Sequence, residues 1–277
     1  MDDIRLAAVV LTKNEERDLP GCLASLQGVA DEIFVIDSGS HDRTVEIAES
    51  MGARVFKHEF ETHARQMNWG LATIQTRARW VMKIDADERV SDRLGSSLRA
   101  LIDNAHDDLM GIQVPLRIQF LGKRLRFGGT YPIWLLRLWR LGRGRCEDRM
   151  MDEHIVVDPG RIVKAEGELL HVIPKSLSDW SRKHVWYAER ECRDATLLDS
   201  TVSEVKGHAG LVRAAKTKVY YRLPPILRVV AYWFYRYVVL LGFLDGKVGF
   251  LYHFLQGLWY RMLVDGLLSE HREQCER

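Results

Sequence analysis

Cysteine is scarce in this chain of 277 residues, and its four cysteines stand singly, at Cys22, Cys146, Cys192 and Cys275. The absence of any CxxC pair argues against a zinc site and against a disulfide-stapled scaffold. The glycine signatures GxGxxG and GxxxxGK[ST] are also missing, which removes the main support for a dinucleotide dehydrogenase or a P-loop enzyme. A nucleotide bound by this protein would therefore be held in another way.

Long apolar segments are missing as well. The uncharged runs Tyr237–Leu244 and Val248–Tyr260 have 8 and 13 residues, and a membrane-spanning helix needs roughly 20. The N-terminus has no basic region followed by an apolar stretch, so no signal peptide is predicted. Together with the sparse cysteines, these absences predict a cytoplasmic protein.

The sequence does contain short apolar runs that alternate with helical patterns, and 47% of its residues are hydrophobic, enough for a large core. Alternating strands and helices are typical of a parallel sheet covered on both faces. The predicted strands are Leu6–Thr12, Glu32–Asp37, Ala53–Lys57 and Trp80–Ile84, and the predicted helices are Leu19–Leu26, Thr44–Met51 and Thr62–Ile74. This pattern predicts a Rossmann-like α/β layer.

The pattern becomes less regular further along the chain. Strands are predicted over Met110–Phe120, Ile133–Trp139 and Ile162–Val172, and a helix over Ser178–Leu198, with Ser176 or Ser178 as its N-cap. Beyond residue 200 the sequence becomes basic, aromatic and helical in pattern. We therefore predict a catalytic domain over residues 1–200 and a helical C-terminal extension over residues 201–277.

Polar residues follow three of the predicted strands, where open parallel sheets bind their ligands. These segments are Thr12-Lys-Asn-Glu15, Asp37-Ser-Gly-Ser40 and Asp85-Ala-Asp-Glu88. Two carboxylates at a strand end, such as Asp85 and Asp87, can share a divalent cation whose remaining positions take diphosphate oxygens and water. Such pairs also occur as solvated turn acids, so their position beside the other polar strand ends is what favours a metal site.

The runs Val9-Val-Leu-Thr-Lys-Asn-Glu15, Val35-Ile-Asp-Ser-Gly-Ser-His-Asp-Arg-Thr44 and Ile84-Asp-Ala-Asp-Glu88 resemble the family 2 glycosyltransferases of the GT-A fold. The resemblance covers roughly residues 5–200 and is greatest to the lipopolysaccharide core β-glucosyltransferase branch, which the segment Leu241-Gly-Phe-Leu-Asp-Gly246 also resembles. It implies a mixed, mainly parallel sheet with helices on both faces. It also implies transfer of a sugar from a nucleotide-diphosphate donor, with UDP-sugars favoured.

The resemblance implies a nucleotide site. Thr12, Asn14 and Glu15 match the loop that meets the nucleotide, Asp37 matches the acid that contacts the base or ribose, and Ser38 lies in the turn beside it. Arg65 and Asn68, three apart on a predicted helix, match residues near the nucleotide, with ordinary helix surface as the alternative. For Asp42 and Thr44 we favour a capping role at the start of the next helix.

The resemblance also implies a metal and a base. Asp85 and Asp87 would hold Mg²⁺ or Mn²⁺, and His171 could join them, although a histidine after two leucines is more often a core residue. An inverting transfer needs a carboxylate to take the proton of the acceptor hydroxyl. Glu153 is favoured as this base and Asp152 is the alternative, while a simple acidic turn would explain both residues without any catalytic role.

Charge is distributed unevenly along the chain. Eight bases and no acids lie between Asp108 and Glu147, in the part that handles the acceptor in the related fold, which predicts an anionic acceptor. Seven more bases, interleaved with aromatics, lie from Lys206 to Arg236. Bases and interfacial aromatics predict adsorption to an anionic leaflet, and the alternative is a helical pair that packs on its own domain or on another subunit.

The sequence thus predicts a metal-dependent inverting glycosyltransferase, peripheral on the inner face of the cytoplasmic membrane, with a lipopolysaccharide-core or other lipid-linked envelope glycan as acceptor. No nucleic-acid-binding motif accompanies the bases, so no nucleic acid partner is predicted. One alternative is a sugar-nucleotide nucleotidyltransferase, which normally has a glycine-rich, arginine-containing loop in place of Lys13–Glu16. The other is a non-catalytic membrane-tethered module, against which the acids at Asp85, Asp87 and Glu153 argue.

Overall fold

The computed structural model describes residues 4–148, 154–173, 176–197 and 224–276, and these fall into two units. The first, which we call the sheet unit, comprises residues 4–117, 132–148 and 154–172. The second, the helical unit, comprises residues 118–131, 173, 176–197 and 224–276. The predicted domain boundary at residue 200 falls outside the described residues and stays a prediction.

The sheet unit begins with the predicted alternation of strands and helices. Each of its first seven elements agrees with the sequence prediction to within one residue at either end. The elements are β1 (Leu6–Thr12), α1 (Leu19–Leu26), β2 (Glu32–Asp37), α2 (Thr44–Ser50), β3 (Arg54–Lys57), α3 (His63–Thr73) and β4 (Trp80–Asp85). The local patterns in this part of the chain were therefore sufficient to locate its elements.

The first four strands form the parallel half of a mixed sheet, in the order β3-β2-β1-β4. In this half, Thr12 pairs with Asp37 and Leu11 with Asp85. Because parallel strands end at the same edge of the sheet, Thr12, Asp37 and Asp85 come to lie side by side at that edge. The register thus brings together the polar strand ends that the sequence singled out.

Beyond β4 the sheet continues with mostly antiparallel strands, which are β5 (Glu88–Val90), β6 (Leu109–Phe120), β7 (Lys123–Arg124), β8 (Ile133–Arg140), β11 (Arg161–Lys164) and β12 (Leu169–Val172). The order is β4-β8-β6-β12-β5, while β7 pairs antiparallel and β11 parallel with β6. Separately, β9 (Gly144–Cys146) pairs antiparallel with β10 (Ile155–Val157). The residues of β6 from Ile118 onward belong to the helical unit.

Helices cover both faces of the parallel half because every residue of β1 is buried and alternate residues face opposite sides. Leu6, Ala8 and Val10 share a cluster with buried residues of α1 and of α4 (Asp92–Asp103). Ala7 and Val9 share another with buried residues of α3. The predicted fold class, a mixed, mainly parallel sheet with helices on both faces, is therefore confirmed.

The single strand predicted over Ile162–Val172 is wrong. The structure divides it into β11 and β12, and Gly167 between them has φ +103°, a conformation that favours glycine. A Cβ at this position would lie 2.3 Å from the backbone nitrogen of Leu94. The chain therefore turns here under the start of α4, and an apolar pattern could not reveal this because the constraint comes from another element.

The helical unit contains α5 (Leu177–Leu197), α6 (Pro225–Phe234), α7 (Gly246–His253) and α8 (Tyr260–Glu276), with π-helical turns at Tyr235–Val239 and Phe254–Trp259. The predicted helix Ser178–Leu198 corresponds to α5. Ser176 Oγ accepts the Asp179 N–H at 3.3 Å, so of the two predicted N-cap residues it is Ser176 that caps the helix.

Among the described residues no single helix is long and apolar enough to cross a membrane. The helical segments Pro225–Val239 and Gly242–His271, which are bent by 68° relative to each other, meet that criterion only when they are taken together.

Candidate active site

The first group at the sheet edge is built around Asp37, which is fully buried at the end of β2. Thr12 Oγ1 and Ser40 Oγ donate to its Oδ1 at 3.1 and 2.5 Å. The backbone N–H groups of Gly39 and Ser40 donate to its Oδ2 at 3.0 and 2.9 Å. Four hydrogen bonds therefore engage this carboxylate, and Asp37 shapes the turn that follows β2.

Ser38 continues this group into the sheet unit's interior. Its backbone N–H donates to the Thr12 carbonyl at 2.9 Å, and its Oγ accepts from Gln66 Nε2 at 3.0 Å. Gln66, buried on α3, also contacts His58 Nδ1 through its Oε1 at 2.7 Å. The turn after β2 is thus tied to α3 through Gln66, a residue that the sequence analysis did not single out.

The loop after β1 is held against the same turn. The Asn14 N–H donates to Ser40 Oγ at 2.8 Å, and the Glu15 N–H donates to Thr44 Oγ1 at 2.7 Å. Asn14 has φ +56°, and its Oδ1 accepts the His41 N–H at 2.8 Å. Side-chain to backbone hydrogen bonds therefore fix the two loops that were predicted to meet the nucleotide.

The capping role favoured for Asp42 and Thr44 is met only in part, because the N-cap residue of α2 is Arg43, which has no side-chain cap hydrogen bond. Asp42 Oδ1 accepts both the N–H and the hydroxyl of Thr44, at 3.0 and 2.5 Å. Asp42 Oδ2 accepts the Glu16 N–H at 3.1 Å. These residues therefore organise the backbone at this edge of the sheet.

Arg65 and Asn68 lie on α3 and have different partners. Asn68 Nδ2 donates to the Cys146 carbonyl, and its Oδ1 accepts the Cys146 N–H, both at 2.8 Å. The exposed Arg65 contacts Glu61 at 2.5 Å and Asp148 at 3.4 Å. Asn68 thus anchors β9 to α3, and a nucleotide contact for either residue stays a prediction.

The second group surrounds Asp85, the last residue of β4. Arg137 Nη2, from β8, lies 3.1 Å from Asp85 Oδ2 and 2.5 Å from Glu88 Oε1. Only 10% of the Arg137 side chain and 2% of the Glu88 side chain are exposed, against 40% for Asp85. Arg137 therefore holds both carboxylates at the strand end while Asp85 remains accessible.

The buried charges shift the pKa values of the two acids in opposite directions. Burial alone raises the pKa of Asp85, but the attraction of Arg137 and then Lys83 outweighs burial and lowers this pKa to about 2. For Glu88, burial raises the pKa against the attraction of Arg137, and the Asp85 carboxylate adds to the rise. Asp85 is consequently ionised at neutral pH, the form that a cation requires.

Asp87 lies beside His171. His171 pairs with Glu88 across the antiparallel strands β12 and β5, and its Nε2 lies 3.3 Å from Asp87 Oδ2. The Val172 N–H donates to the Asp87 carbonyl at 2.8 Å. The structure therefore brings together Asp87 and His171, two of the three predicted metal ligands, although 84 positions separate them in the sequence.

Arg89 fixes the short turn that carries these acids. Its guanidinium donates to the carbonyls of Ala86 and Glu88 at 2.8 Å and to that of Asp18 at 2.5 Å. Gly21 on α1 makes room for it, because a Cβ there would lie 2.4 Å from Arg89 Nε. The turn between β4 and β5 is therefore joined to the start of α1.

The chemistry of Asp85, Asp87 and His171 fits a divalent cation. Magnesium in substrate complexes is commonly bound by one or two carboxylates, water and the substrate's phosphate oxygens, so a complete protein cage is not required. In the described part of the chain no three His, Cys, Asp or Glu side chains are arranged so that they could hold a metal ion by themselves. The residues thus suit a cation that is shared with a diphosphate.

The two candidate bases, Asp152 and Glu153, lie outside the described residues. On either side of them, the Glu147 N–H donates to the His154 carbonyl at 2.8 Å, and Cys146 pairs with Ile155. Asn68 holds Cys146 from α3, as described above. The described residues on either side of the candidate bases are therefore held together within the sheet unit.

Arg137 and Glu88 are the main site residues whose role the sequence analysis did not identify. Glu88 was quoted only as part of the acidic segment, and Arg137 was counted among the eight bases of an acceptor region. A single arginine inside the apolar run Ile133–Trp139 was the available signal, because a buried arginine requires an acidic partner. The identity of that partner depends on the pairing of β8 with β4.

Comparison with known proteins identifies relatives of this chain. The model of the family described as Glycosyl transferase family 2 matches residues 7–159. An uncharacterized glycosyltransferase of Rickettsia bellii (strain RML369-C) is 32% identical over 115 residues, which cover 41% of this chain and 38% of that protein. The match thus spans about two fifths of the rickettsial relative's length.

A longer match is found to LpsC of Rhizobium meliloti (strain 1021), named a lipopolysaccharide core biosynthesis glycosyltransferase. It is 30% identical over 189 residues, which cover 66% of this chain and 68% of LpsC. Among solved structures, residues 1–349 of TarS from S. aureus match with a TM-score of 0.47 and 14% identity, covering 98% of this chain and 92% of that chain. Glucosyl-3-phosphoglycerate synthase from Mycobacterium tuberculosis matches with a TM-score of 0.36 and 22% identity, covering 41% and 44%.

Proposed function

The chain belongs to glycosyl transferase family 2, and on that premise we propose that it transfers a sugar from a nucleotide-diphosphate sugar, UDP-sugars being favoured, to a lipid-linked envelope glycan. A lipopolysaccharide core is the favoured acceptor, because the relative LpsC is named for that process. The observation that carries the proposal is the meeting of Asp85, Asp87, His171 and the Thr12–Asp37 pair at one edge of the sheet.

The loops after β1 and β2 would receive the nucleoside. Thr12, Asn14, Glu15 and Ser38 would contact it from a backbone that Asp37 has already organised. Because four hydrogen bonds engage the Asp37 carboxylate, we infer that it acts mainly by positioning this turn. Such preorganisation lowers the entropy cost of binding the donor.

Asp85, Asp87 and His171 would hold Mg²⁺ or Mn²⁺ together with the diphosphate. When bound, the cation would neutralise charge that develops on the departing diphosphate. Arg137 would keep the Asp85 carboxylate oriented and ionised. Glu153, or Asp152 in its place, would accept the proton of the acceptor hydroxyl as the sugar is transferred with inversion.

The helical unit supports a peripheral location on the inner face of the cytoplasmic membrane. Among the described residues, thirteen of the seventeen exposed large hydrophobic side chains lie between Ile226 and Met262. Surfaces of this kind mark membrane or protein interaction sites. An enzyme that acts on lipid-linked acceptors would need such contact with the bilayer.

One of the bases predicted to adsorb to the membrane does not face solvent. Arg228 is buried and pairs with Asp265, Nε to Oδ2 at 2.9 Å and Nη2 to Oδ1 at 2.5 Å. Arg236 donates from Nε to the Gly128 carbonyl at 2.6 Å. The predicted bases from Lys206 to Arg222 lie outside the described residues, so exposed apolar side chains carry the proposal of membrane contact.

The proposed activity can be tested with labelled UDP-sugars and an envelope lipid extract. Label that enters the lipid fraction in the presence of Mg²⁺ or Mn²⁺, and is lost when EDTA removes the cation, would support the transferase. Release of pyrophosphate would instead indicate a nucleotidyltransferase, and no turnover with any donor would indicate a non-catalytic module. The Asp107→Asn variant is a matched control, because this exposed acid lies away from the sheet edge.

A further inference from the structure

The bases between Asp108 and Glu147 do not form one surface. Four of them pair with acids of the sheet unit, as Arg117 does with Glu168 and Arg143 with Asp158. Arg137 and Arg140 likewise face Asp85 and Asp107. Three others, Lys123, Arg124 and Arg126, belong to the helical unit and lie close together in the sequence. The eighth base, Arg145, belongs to the sheet unit, so the three bases of the helical unit form a cluster of their own.

These three bases line an open cavity of about 430 Å³ in the helical unit, together with Phe127, Leu244 and Asp245. Lys123 and Arg124 form β7, which follows a tight hairpin turn at Leu121 and Gly122, where both residues have positive φ. In the described part of the chain, the Arg126 side chain forms no ion pair. Three exposed bases of one short segment therefore line the cavity.

The acid in this cavity is turned inward. Asp245 is 2% exposed, and its Oδ2 accepts the backbone N–H groups of Arg126 and Phe127 at 2.9 and 3.0 Å. Lys123 Nζ donates one of its three hydrogens to the Asp245 carbonyl. The Gly128 N–H donates to the Leu240 carbonyl at 2.8 Å. The basic segment and the turn at residues 240–245 are therefore one hydrogen-bonded structure that carries three exposed bases.

That turn also exposes large apolar side chains beside the cavity. Leu241, Phe243 and Leu244 are 44%, 43% and 51% exposed. Leu241 adopts φ +59°, which is costly for a residue with a branched side chain and persists only where the surrounding structure imposes it. These side chains continue the exposed apolar surface of the helices on either side. An apolar turn bordered by fixed positive charges matches the boundary between acyl chains and headgroups of an anionic bilayer.

We propose that Lys123, Arg124 and Arg126 bind the phosphate of an anionic phospholipid headgroup while Leu241, Phe243 and Leu244 insert beside it. The inference rests on the membrane contact included in the proposed function and names the structure that makes it. It places the contact at the Leu121–Gly122 hairpin and at the turn at residues 240–245, whereas the sequence predicted it at the bases from Lys206 to Arg236. The lipid, and not a free phosphate, is the proposed ligand because the apolar turn adjoins the charges.

The test is flotation of the full chain with vesicles of phosphatidylglycerol or phosphatidylcholine at low salt. The wild type should bind phosphatidylglycerol and bind phosphatidylcholine more weakly. Replacing Lys123, Arg124 and Arg126 with Gln should lower binding to phosphatidylglycerol roughly tenfold or more, because each base near an anionic leaflet contributes several-fold. Phe243→Ser combined with Leu244→Ser should weaken binding to both lipids. Raising the salt should reduce the difference between the lipids.

A matched control replaces Lys57, Arg77 and Arg99 with Gln. These exposed bases lie in the sheet unit, so the net charge changes equally and binding should stay at the wild-type level. Lys123→Arg should retain binding, because arginine keeps the positive charge and the hydrogen-bond donors of lysine. Circular dichroism and hydrolysis of the nucleotide sugar show whether each variant is folded. Vesicle binding can follow the pattern above even if neither the wild type nor any variant hydrolyses a donor. In that case the proposed function fails and this inference stands.

Several results would overturn the inference. One is a wild type that stays unbound at low salt, and another is a basic variant that binds like the control. Inorganic phosphate that displaces the protein from vesicles, at a concentration equal to that of the lipid headgroups, would indicate a free-anion site instead. Self-association that disappears in the Phe243 and Leu244 variant, without vesicle binding, would indicate that a second copy of the chain covers this surface.

Discussion

The sheet unit and the helical unit each bury an arginine against carboxylates, but they use the pair differently. In the sheet unit, Arg137 bridges Glu88 and the accessible Asp85 at the edge where the polar strand ends meet. In the helical unit, Arg228 and Asp265 are each only 7% exposed and lie within the helices. The same interaction therefore orients a candidate site in one unit and joins helices in the other.

The two units also differ in what they expose. In the sheet unit, helices bury both faces of the parallel strands. Its polar groups lie at the carboxyl ends of these strands. The helical unit exposes most of the large hydrophobic side chains that are accessible in the described residues. The proposed donor site and the proposed lipid-binding surface thus lie in different units of the chain.

The largest effect is expected at the acids of the sheet edge. Asp85→Asn and Asp87→Asn should each lower transfer at least about 10²- to 10³-fold, the loss typical when charge stabilisation in a transition state is removed. The amide is nearly isosteric, so the melting temperature should change little. Transfer and donor hydrolysis are measured with saturating Mg²⁺ or Mn²⁺, beside Asp107→Asn. Near-wild-type turnover in either variant would remove that residue from the proposed metal site.

A second effect concerns the proposed base. Glu153→Gln should lower turnover by about 10²- to 10⁴-fold, as expected for lost general-base catalysis, and should leave nucleotide binding nearly unchanged. Asp152→Asn should have a smaller effect. Calorimetric titration with UDP and steady-state rates separate binding from turnover. The reverse order of effects would assign the base to Asp152.

The two buried arginines can be compared directly. Arg137→Met and Arg228→Met should each lower the free energy of unfolding by about 3–5 kcal/mol, because each leaves a buried carboxylate without its partner. Only Arg137→Met should also reduce donor hydrolysis in the protein that remains folded. Denaturant titration and hydrolysis assays at low temperature measure both quantities.

The paired variants sharpen this comparison. Arg228→Met with Asp265→Leu should recover most of the lost stability, since apolar residues often replace a buried ion pair at little cost. Arg137→Met with Glu88→Gln should recover stability in part but not hydrolysis, because Asp85 still lacks its arginine. Equal recovery of activity in both units would contradict the distinction drawn between them.

The smallest expected effect is a pH dependence in the helical unit. Burial, with a further contribution from Arg236, lowers the pKa of His253 to about 4, and the residue is 1% exposed. The unfolded chain takes up this proton near pH 6.5, so stability should fall as the pH drops from about 6.5 to 4, by at most about 3 kcal/mol. Unfolding followed at pH 7 and pH 4.5 should show a smaller decline in His253→Gln. An unchanged decline would mean that other groups cause it.

Sequence patterns predicted the elements whose structure depends on residues within the element itself. The apolar runs of β1, β2 and β4 and the helices between them were predicted because burial on both faces leaves a signal within each element. The acids Asp85 and Asp87 were placed at a strand end for the same reason. The same patterns did not separate β11 from β12, because the turn at Gly167 is imposed by Leu94 of another element.

Periodicity and short contiguous motifs were enough to predict the α/β layer, the order of its polar strand ends and the family resemblance. Long-range pairing was needed to bring Arg137 to Asp85, His171 to Asp87 and Asn68 to Cys146, and to bury Arg228 against Asp265. Each of these outcomes pairs groups at least 37 positions apart. Coulomb attraction and hydrogen bonding act over a few ångströms in space, and strand register and helix packing determine which distant residues come within that range.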